Sequence, residues 1–261
     1  METLSIQNLS VQLQDQVLLK DIHVSLPEGQ SLIIIGESGS GKTLLTKLIM
    51  GQIPKESQVT GSITYKGKDL RHCTAKDWQQ LRGKELAYMM QNPMAMFNAF
   101  QKIKVHVIET LQSHYPWTKE ECLEKARETM KSVRLGHIDK LLESYPFELS
   151  GGMLQRVMLA ILLSLDSETI LLDEPTSALD PYNRENVLKI LQTLQEKGKT
   201  LITVTHDYEL ARQLGGQILV VYKGEIVERG AVEDLLSHPQ HPYTQELVLG
   251  NPYERLVTYE D

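Results

Sequence analysis

The alternation of apolar and polar residues along the N-terminal third of the chain predicts a β-rich segment. Alternation is weak in the first run and clearer in the second, and a turn at residues 27–30 precedes a third run, Ile33–Ile35, that is apolar throughout. An unbroken apolar run of this kind is typical of a strand buried on both faces. The strands predicted in this part of the chain are residues 4–13, 22–26, 33–35, 61–65 and 86–90.

The spacing of apolar residues becomes helical after Gln91. Residues 103, 107, 108 and 111 are apolar at helical intervals, and Thr118 followed by Glu121 forms a capping box that starts a helix running to about Leu135. There is no convincing strand pattern from residue 103 to residue 165. This stretch therefore predicts a helical subdomain at residues 92–160.

Strand patterns return in the last third of the chain. Thr169–Leu172 and Thr200–Val204 are typical of buried strands, and Asp180 followed by Pro181 caps a helix that runs to about Gln195. Shorter helices are predicted at 42–50 and 75–81, and a final strand pair at 217–222 and 225–228. Strands that alternate with helices predict an α/β fold with a mostly parallel sheet covered on both faces.

Composition and charge exclude several classes of protein. The 261 residues are 41% hydrophobic and 23% charged, as in an ordinary globular chain, and the net charge of −7 gives no basic field that would recruit nucleic acid. The longest apolar run, Val157–Leu163, is far shorter than the ~20 residues of a membrane span, and the N-terminus lacks the features of a secretory signal. Cys73 and Cys122 are expected to be reduced in a cytosolic setting. Any contact with a membrane is therefore expected to be made through a partner.

A glycine-rich loop between the apolar run at 33–35 and the helix at 42–50 matches the pattern G-x-x-x-x-G-K-[ST] in the strand–loop–helix context that this pattern requires. Glycines let backbone N–H groups converge on anionic oxygens, and the helix N-terminus adds its positive dipole. Lys42 is expected to neutralise the β- and γ-phosphates, and the Thr43 hydroxyl to ligate Mg²⁺. The predicted nucleotide site is Gly36, Glu37, Ser38, Gly39, Ser40, Gly41, Lys42 and Thr43.

Two acids end the apolar run Thr169–Leu172. Burying a pair of carboxylates at a strand end is unfavourable unless they bind something. Asp173 is placed to hold Mg²⁺ through water opposite Thr43, and Glu174 could orient or deprotonate the water that attacks the γ-phosphate. A salt bridge at the end of the strand is the alternative interpretation.

A second glycine-containing loop, Leu149–Met153, also precedes a helical run. Ser150 is a good N-cap, and Gly151 and Gly152 expose backbone N–H groups at this second helix start. One nucleotide cannot use both loops of the same chain, so the second loop is expected to serve a nucleotide bound by a partner in a head-to-tail dimer. Taken alone, the segment would be a plain helix cap.

The chain resembles the nucleotide-binding subunits of ABC transporters over nearly its whole length. The resemblance rests on the order of the glycine loop at 36–43, Gln91, the loop Leu149–Met153, the acids Asp173 and Glu174, the segment Ser177–Asp180 and His206. The resemblance implies an α/β P-loop NTPase (RecA-like) fold with an N-terminal antiparallel β-subdomain. It places an ABC nucleotide-binding domain at 1–237 and a short tail at 238–261. It also makes the glycine loop at 36–43 the Walker A loop and Ser150–Gly152 the family signature, which acts on the partner's nucleotide.

The remaining roles implied by the resemblance concern hydrolysis. Asp173 belongs to Walker B and Glu174 is the catalytic carboxylate. Gln91 senses Mg²⁺ and the attacking water, Asp180 ends the D-loop at the dimer seam, and His206 contacts the γ-phosphate. ATP and Mg²⁺ are the implied cofactors, and the implied metal-binding residues are Thr43, Gln91 and Asp173. Considered alone, His206 would be assigned to capping a surface helix.

Two positions depart from the family pattern. Met153 stands where the signature commonly ends in Gln, a variant also found in peptide- and nickel-type importers. Leu13 stands where an aromatic side chain usually stacks on the adenine. Because base–aromatic stacking contributes about 1–3 kcal/mol, we expect modest ATP affinity and poor discrimination between ATP and GTP.

The signature segment Leu149–Arg156 and the tail segment His238–Thr244 resemble the oligopeptide, dipeptide and nickel importer ATPases. Many peptide-type members carry a Cys-containing C-terminal extension, so the end at Asp261 favours the nickel or metal-chelate branch, with an oligopeptide or dipeptide importer as the alternative. The histidines of the tail and the His72–Cys73 pair are expected to be loop residues, not metal ligands.

The implied partners are a second homologous ATPase, two permeases and, indirectly, an extracytoplasmic binding protein, with no nucleic acid. The implied location is the cytoplasmic face of the cell membrane.

Two other functions are less consistent with the sequence. A non-transport ABC ATPase acting on nucleic acid or ribosomes would need a coiled-coil insertion or a second cassette. A GTPase switch would need an Asn-Lys-x-Asp or Thr-Lys-x-Asp motif. The sequence contains none of these.

The segment Met94–Phe100 is unusually apolar for a loop and is predicted to form part of a socket for a permease helix. Packing inside the helical subdomain is the alternative.

Overall fold

The computed structural model describes residues 2–177 and 179–250, which form ten strands and ten α-helices. The strands are β1 (Glu2–Leu13), β2 (Gln16–Pro27), β3 (Ser31–Ile35), β4 (Ser57–Tyr65), β5 (Lys68–Asp69), β6 (Leu86–Met89), β7 (Thr169–Asp173), β8 (Thr200–Val204), β9 (Gln217–Tyr222) and β10 (Glu225–Ala231). The helices are α1 (Lys42–Ile49), α2 (Ala75–Leu81), α3 (Ile103–Gln112), α4 (Lys119–Ser132), α5 (Ile138–Glu143), α6 (Gly151–Ser164), α7 (Pro181–Glu196), α8 (Tyr208–Leu214), α9 (Val232–Ser237) and α10 (Pro242–Leu249).

The chain divides into two compact units. The first takes its described residues from Met1–Thr74 and Thr200–Asp261, and the second is Ala75–Lys199. The helical subdomain predicted at 92–160 falls inside the second unit. Its limits, and the predicted boundary between the domain at 1–237 and the tail at 238–261, stay predictions.

The first unit contains an antiparallel sheet and a mostly parallel one. Strands β2, β1, β4 and β5 form the antiparallel sheet in that order, which confirms the expected N-terminal β-subdomain. In the other sheet β3 lies between β8 and β9 and is parallel to both, and β10 is antiparallel to β9. All residues of β3 and β8 are buried, which explains why their apolar runs show no alternation.

The second unit contains the parallel pair β6 and β7 and six of the helices. The capping box predicted at Thr118 is present, because the Thr118 hydroxyl accepts a hydrogen bond from the Glu121 backbone N–H while the Glu121 carboxylate accepts one from the Thr118 backbone N–H. Asp180 caps α7 in the same way, accepting from the Asn183 backbone N–H. Local sequence signals therefore set where both helices begin.

The predicted elements are confirmed, with differences at their ends. The helix after Thr118 ends at Ser132 instead of Leu135, since Arg134 adopts a left-handed backbone conformation with φ of 55°. The last strand continues to Ala231 because it stays paired with β9. In the described ranges, no helix combines the length and apolarity needed to cross a membrane. Ala178 of the D-loop segment and tail residues 251–261 lie outside the described residues.

Candidate nucleotide-binding and hydrolysis site

The glycine loop follows β3 and leads into α1 through a backbone that only glycine adopts readily. Gly36, Gly39 and Gly41 have φ values of 147°, 82° and 113°. A Cβ atom on Gly36 would lie 2.2 Å from the Val221 carbonyl oxygen, and one on Gly41 would lie 2.7 Å from a methyl carbon of Leu19. Steric fit against backbone therefore requires glycine at position 36, and the positive φ values favour glycine at all three positions. Alternating glycines of this kind let successive N–H groups form an anion-binding nest.

Lys42 is the first residue of α1 and its side chain turns back onto the loop. Its ammonium group donates hydrogen bonds to the carbonyl oxygens of Gly36 and Glu37, at 2.7 and 2.6 Å. The residue is 9% exposed, so its charge is largely withdrawn from water. A phosphate oxygen carries more negative charge than a carbonyl, so an ammonium group held here is well suited to bind one.

The tip of the β1–β2 hairpin carries Leu13, the residue found in place of an aromatic side chain. Leu13 is half-buried and pairs with Gln16 across the hairpin, and Gln12 pairs with Val17. Val17 is 52% exposed. The hairpin therefore presents aliphatic side chains, which can pack against a base but provide no stacking ring.

His206 is brought to the glycine loop by strand pairing inside the first unit. β8 pairs with β3 so that Val204 lies opposite Ile34, and the Thr205 backbone N–H donates a 3.1 Å hydrogen bond to the Ile34 carbonyl. His206 is exposed at the same carboxyl edge of the sheet as the loop. Asp207 caps α8 by accepting from the Leu210 backbone N–H, so capping does not account for His206.

Asp173 and Glu174 are almost fully buried in the second unit, at 1% and 5% exposure. The Tyr88 hydroxyl donates a 3.3 Å hydrogen bond to Asp173 Oδ2. Glu174 has a φ of 54°, and its carbonyl oxygen accepts hydrogen bonds from Gln155 Nε2 and Ser177 Oγ, both at 3.1 Å. Hydrogen bonds therefore fix the backbone at the residue expected to act on water.

Gln91 lies at the same edge of the second unit as the two acids. β6 pairs with β7 so that Met89 is opposite Leu172. Gln91 therefore follows the carboxyl end of β6, and Asp173 is the last residue of the neighbouring parallel strand β7. The Gln91 side chain is exposed. Ligand sites of parallel sheets form at this edge. Inside this unit, Gln91 and the two acids thus lie at the same edge of the parallel strand pair.

The signature loop begins α6 with an exposed helix N-terminus. Ser150 is the N-cap, and its hydroxyl accepts a 3.3 Å hydrogen bond from the Met153 backbone N–H. A Cβ atom on Gly151 would meet nothing within 4 Å. Within the described residues, packing therefore does not require glycine at position 151, in contrast to Gly36. A molecule that approaches this helix N-terminus closely would require it.

Asp180 stands at the N-terminus of α7, after the D-loop segment. It is exposed, and hydrogen bonds from the side chain and backbone of Asn183 lower the pKa of its carboxyl group. The carboxylate is therefore charged at neutral pH while it caps the helix.

Sequence reasoning did not identify Gln155 or Tyr88, which contact the buried acids. Gln155 is 1% exposed and is a polar residue inside the otherwise apolar run of α6, which is the signal that marks it. Tyr88 lies in an ordinary strand pattern and carries no such signal. Its position opposite Leu171 in the neighbouring strand becomes visible only in the fold.

Other clusters do not compete with this site. Within residues 2–177 and 179–250, no three His, Cys, Asp or Glu side chains form a metal-binding group. A cavity of about 620 Å³ in the second unit is lined by Tyr115, Trp117 and residues of α4, α6 and α7, and includes none of the predicted site residues. The oxygen donors of Thr43, Gln91 and Asp173 are the type that Mg²⁺ prefers, so their chemistry fits this ion.

Comparison with known proteins agrees with this geometry. Residues 19–177 match the family model described as ABC transporter. The oligopeptide transport ATP-binding protein AmiE of Streptococcus pneumoniae is 37% identical over 244 residues, covering 92% of this chain and 69% of that protein. The dipeptide transport ATP-binding protein DppD of Lactococcus lactis is 34% identical over 258 residues, covering 96% and 74%.

A solved structure extends the agreement to the fold. The dimeric, post-hydrolysis form of the ATP-binding cassette MJ0796 bound to ADP and Pi is similar with a TM-score of 0.78 and 26% identity, covering 88% of this chain and 98% of that one. The family match spans most of the chain, including the glycine loop and both buried acids. This chain belongs to the ABC transporter family and is one of its ATP-binding, ATP-hydrolysing members.

Proposed function

We propose that ATP hydrolysis by this chain drives the import of dipeptides or oligopeptides through a pair of membrane permeases. The observation that carries this proposal is the similarity to relatives described as oligopeptide and dipeptide transport ATP-binding proteins. The nickel branch favoured by the sequence has no support among these relatives. The alternative weighed beside it, peptide import, is the better supported one.

Within this function the glycine loop binds the nucleotide. Lys42 leaves the carbonyl oxygens of Gly36 and Glu37 for the β- and γ-phosphates, and the N–H groups of the loop hold the remaining phosphate oxygens. Thr43, Asp173 and Gln91 would hold Mg²⁺, which supplies positive charge that stabilises the phosphoryl group during hydrolysis. Glu174 then takes a proton from the attacking water, and His206 holds the γ-phosphate oxygens.

The signature loop acts on a nucleotide bound by a partner ATPase. Support comes from Ser150–Gly152, where an exposed helix N-terminus carries a glycine that this chain's own packing does not require. The MJ0796 cassette is described as dimeric. We infer a head-to-tail dimer in which each signature loop completes the other chain's site, with Asp180 at the seam.

The permease docks on apolar side chains that follow Gln91. Met94 and Met96 are 44% and 43% exposed and Phe100 is 90% exposed, an unusual concentration of apolar surface in one loop. Phe97 is different, because its ring packs edge-on against His106 at 5.1 Å and is half-buried. The proposed socket is therefore formed by the methionines and Phe100. We infer that the chain acts at the cytoplasmic face of the membrane, bound to the permeases through this socket.

Uptake in cells tests the proposed cargo. Cells lacking this chain are complemented with the wild type or with Lys42→Ala, and the entry of labelled dipeptides, oligopeptides and nickel is measured. We expect the wild type alone to restore peptide entry, with nickel entry equal in all strains. Restoration of nickel entry without peptide entry would overturn the peptide assignment and favour nickel or a metal chelate as the cargo.

A further inference from the structure

The tail segment His238–Thr244 has no role in the site described above, although it lies in the same unit as the glycine loop. It contains the start of α10, where Tyr243 is 8% exposed. The ring of Tyr243 stacks on that of Tyr222 with centroids 4.0 Å apart. The Tyr243 hydroxyl oxygen accepts a 2.8 Å hydrogen bond from the backbone N–H of Glu37 in the glycine loop.

We propose that Tyr243 is a positioning residue for ATP binding, which holds the glycine loop in its binding conformation by fixing the Glu37 peptide. This inference rests on the proposed role of the loop as the phosphate site. It gives the tail motif a function in the nucleotide site, separate from selection of the cargo.

The Glu37 peptide group is held on both sides. Tyr243 accepts from its N–H, while Lys42 Nζ donates to its carbonyl oxygen at 2.6 Å. In the proposed function Lys42 moves to a phosphate, so its hydrogen bond to the Glu37 carbonyl is replaced by one to the phosphate. The contact with Tyr243 needs no such exchange, so it keeps the loop in place while the ammonium group changes partner and reduces the ordering that binding would otherwise require.

Tyr243 can fix the loop because it is itself fixed. The Glu228 carboxylate of β10 accepts hydrogen bonds from the backbone N–H groups of Gln240 and His241, at 2.8 and 3.0 Å, just before α10. Further along α10, the Tyr208 hydroxyl donates to the Leu247 carbonyl at 3.2 Å. Burial raises the pKa of the Tyr243 phenol, so the group stays neutral at physiological pH.

The β9–β10 hairpin also contacts the loop. The Gly224 backbone N–H donates to the Ser40 carbonyl at 2.9 Å, and Gly36 packs against the Val221 carbonyl. The hairpin thus contacts the loop at Gly36 and Ser40, and the Tyr243 hydroxyl binds the Glu37 peptide between them. A ring that served only for packing would not need its hydroxyl at this position.

The test is Tyr243→Phe in the full-length chain, which keeps the stacked ring and removes the hydrogen-bond acceptor. We expect the dissociation constants for ATP and ADP to rise about three- to tenfold, as for loss of one hydrogen bond, while kcat at saturating ATP stays within twofold. Tyr222→Phe is the matched control, since its hydroxyl has no hydrogen bond within the described residues. We expect its nucleotide affinity to equal that of the wild type.

Amide hydrogen exchange gives a second measurement, and its result in the wild type does not depend on the folding of a variant. The Glu37 amide is expected to be protected in the nucleotide-free wild type and to exchange faster in Tyr243→Phe. Rapid exchange in the wild type, unchanged ATP affinity in Tyr243→Phe, or equal weakening by Tyr222→Phe would each overturn the positioning role. Lys42→Ala separates the two proposals. Normal ATP binding by Lys42→Ala would show that the glycine loop is not the phosphate site. Weak ATP binding by Lys42→Ala together with normal binding by Tyr243→Phe would leave the loop as the site and remove only the role of Tyr243.

Discussion

The side-chain amide of Gln155 donates a 3.1 Å hydrogen bond to the backbone carbonyl of Glu174. Gln155 lies little more than one turn into α6, the helix that the signature loop begins. Glu174 adopts a left-handed backbone, which costs about 1–2 kcal/mol for a residue with a side chain. The same helix therefore presents the loop proposed to act on the partner's nucleotide and restrains the residue proposed to act on its own.

Gln155→Leu should lower turnover while changing stability little. The substitution removes one donor to the Glu174 carbonyl, worth about 1 kcal/mol, but also removes the buried Gln155 Oε1, which has no hydrogen-bond partner within the described residues. We expect kcat to fall about fivefold, with unchanged ATP affinity. Steady-state ATPase assays and thermal melts check this, and Ser177→Ala, which removes another donor to the same carbonyl, is the comparison.

Glu174→Gln should retain ATP binding and lose hydrolysis. The two side chains have nearly the same shape, so the buried position and its backbone hydrogen bonds are kept, whereas the amide cannot take a proton from water. General-base catalysis contributes about 10²–10⁴-fold, and we expect kcat to fall by that amount. Single-turnover hydrolysis and ATP titration measure the two effects, and turnover within tenfold of the wild type would remove Glu174 as the base.

Ser150→Arg should block the site that this loop completes on the partner. The large side chain would occupy the approach to the exposed helix N-terminus, while the glycine loop of the same chain is unchanged. We expect normal ATP binding by the isolated chain and loss of hydrolysis in the assembled transporter. Ser150→Ala is the control, because it removes only the cap, worth about 1 kcal/mol. Loss of ATP binding by the isolated Ser150→Arg chain would contradict action on a partner's nucleotide.

The sequence predicts the strands and helices correctly where the local residue pattern and the packing of the folded chain favour the same structure. Buried parallel strands give unbroken apolar runs, as at Ile33–Ile35, and helix starts carry side-chain caps, as at Thr118 and Asp180. The helix end after Ser132 was placed too late because the left-handed residue that stops it is Arg134, which carries no glycine signal. Side-chain chemistry alone does not reveal such a stop.

Only some residues of the site could be predicted from the sequence, for a related reason. Phosphate-binding and catalytic groups occur as contiguous motifs, so Lys42 and Glu174 could be assigned by position. The residues that hold them in place come from far along the chain, with Tyr243 contacting Glu37 across 206 positions and Tyr88 contacting Asp173 across 85. No spacing rule links such pairs, because their proximity is created by strand pairing and helix packing.

Leu13→Tyr should tighten nucleotide binding and make it selective for adenine. The half-buried Leu13 and exposed Val17 provide only aliphatic contact at the hairpin tip, and an aromatic ring would add stacking worth about 1–3 kcal/mol. We expect ATP affinity to rise at least fivefold, with a smaller rise for GTP, in direct titrations. Tight and adenine-selective binding by the wild type would show instead that the base is held by other residues.

Charge placed on the proposed socket should prevent assembly with the permeases. Met96 and Phe100 are exposed, so Met96→Glu and Phe100→Glu introduce a carboxylate without disturbing buried packing, whereas Phe97→Glu also breaks the contact with His106 and is expected to lower stability. We expect the double variant Met96→Glu/Phe100→Glu to bind ATP normally, to melt within a few degrees of the wild type, and to lose co-purification with the permeases and peptide uptake. Ile53→Glu, at an exposed apolar position in the other unit, is the matched control and should retain assembly. Normal assembly and uptake by the double variant would show that the apolar loop is not the docking surface.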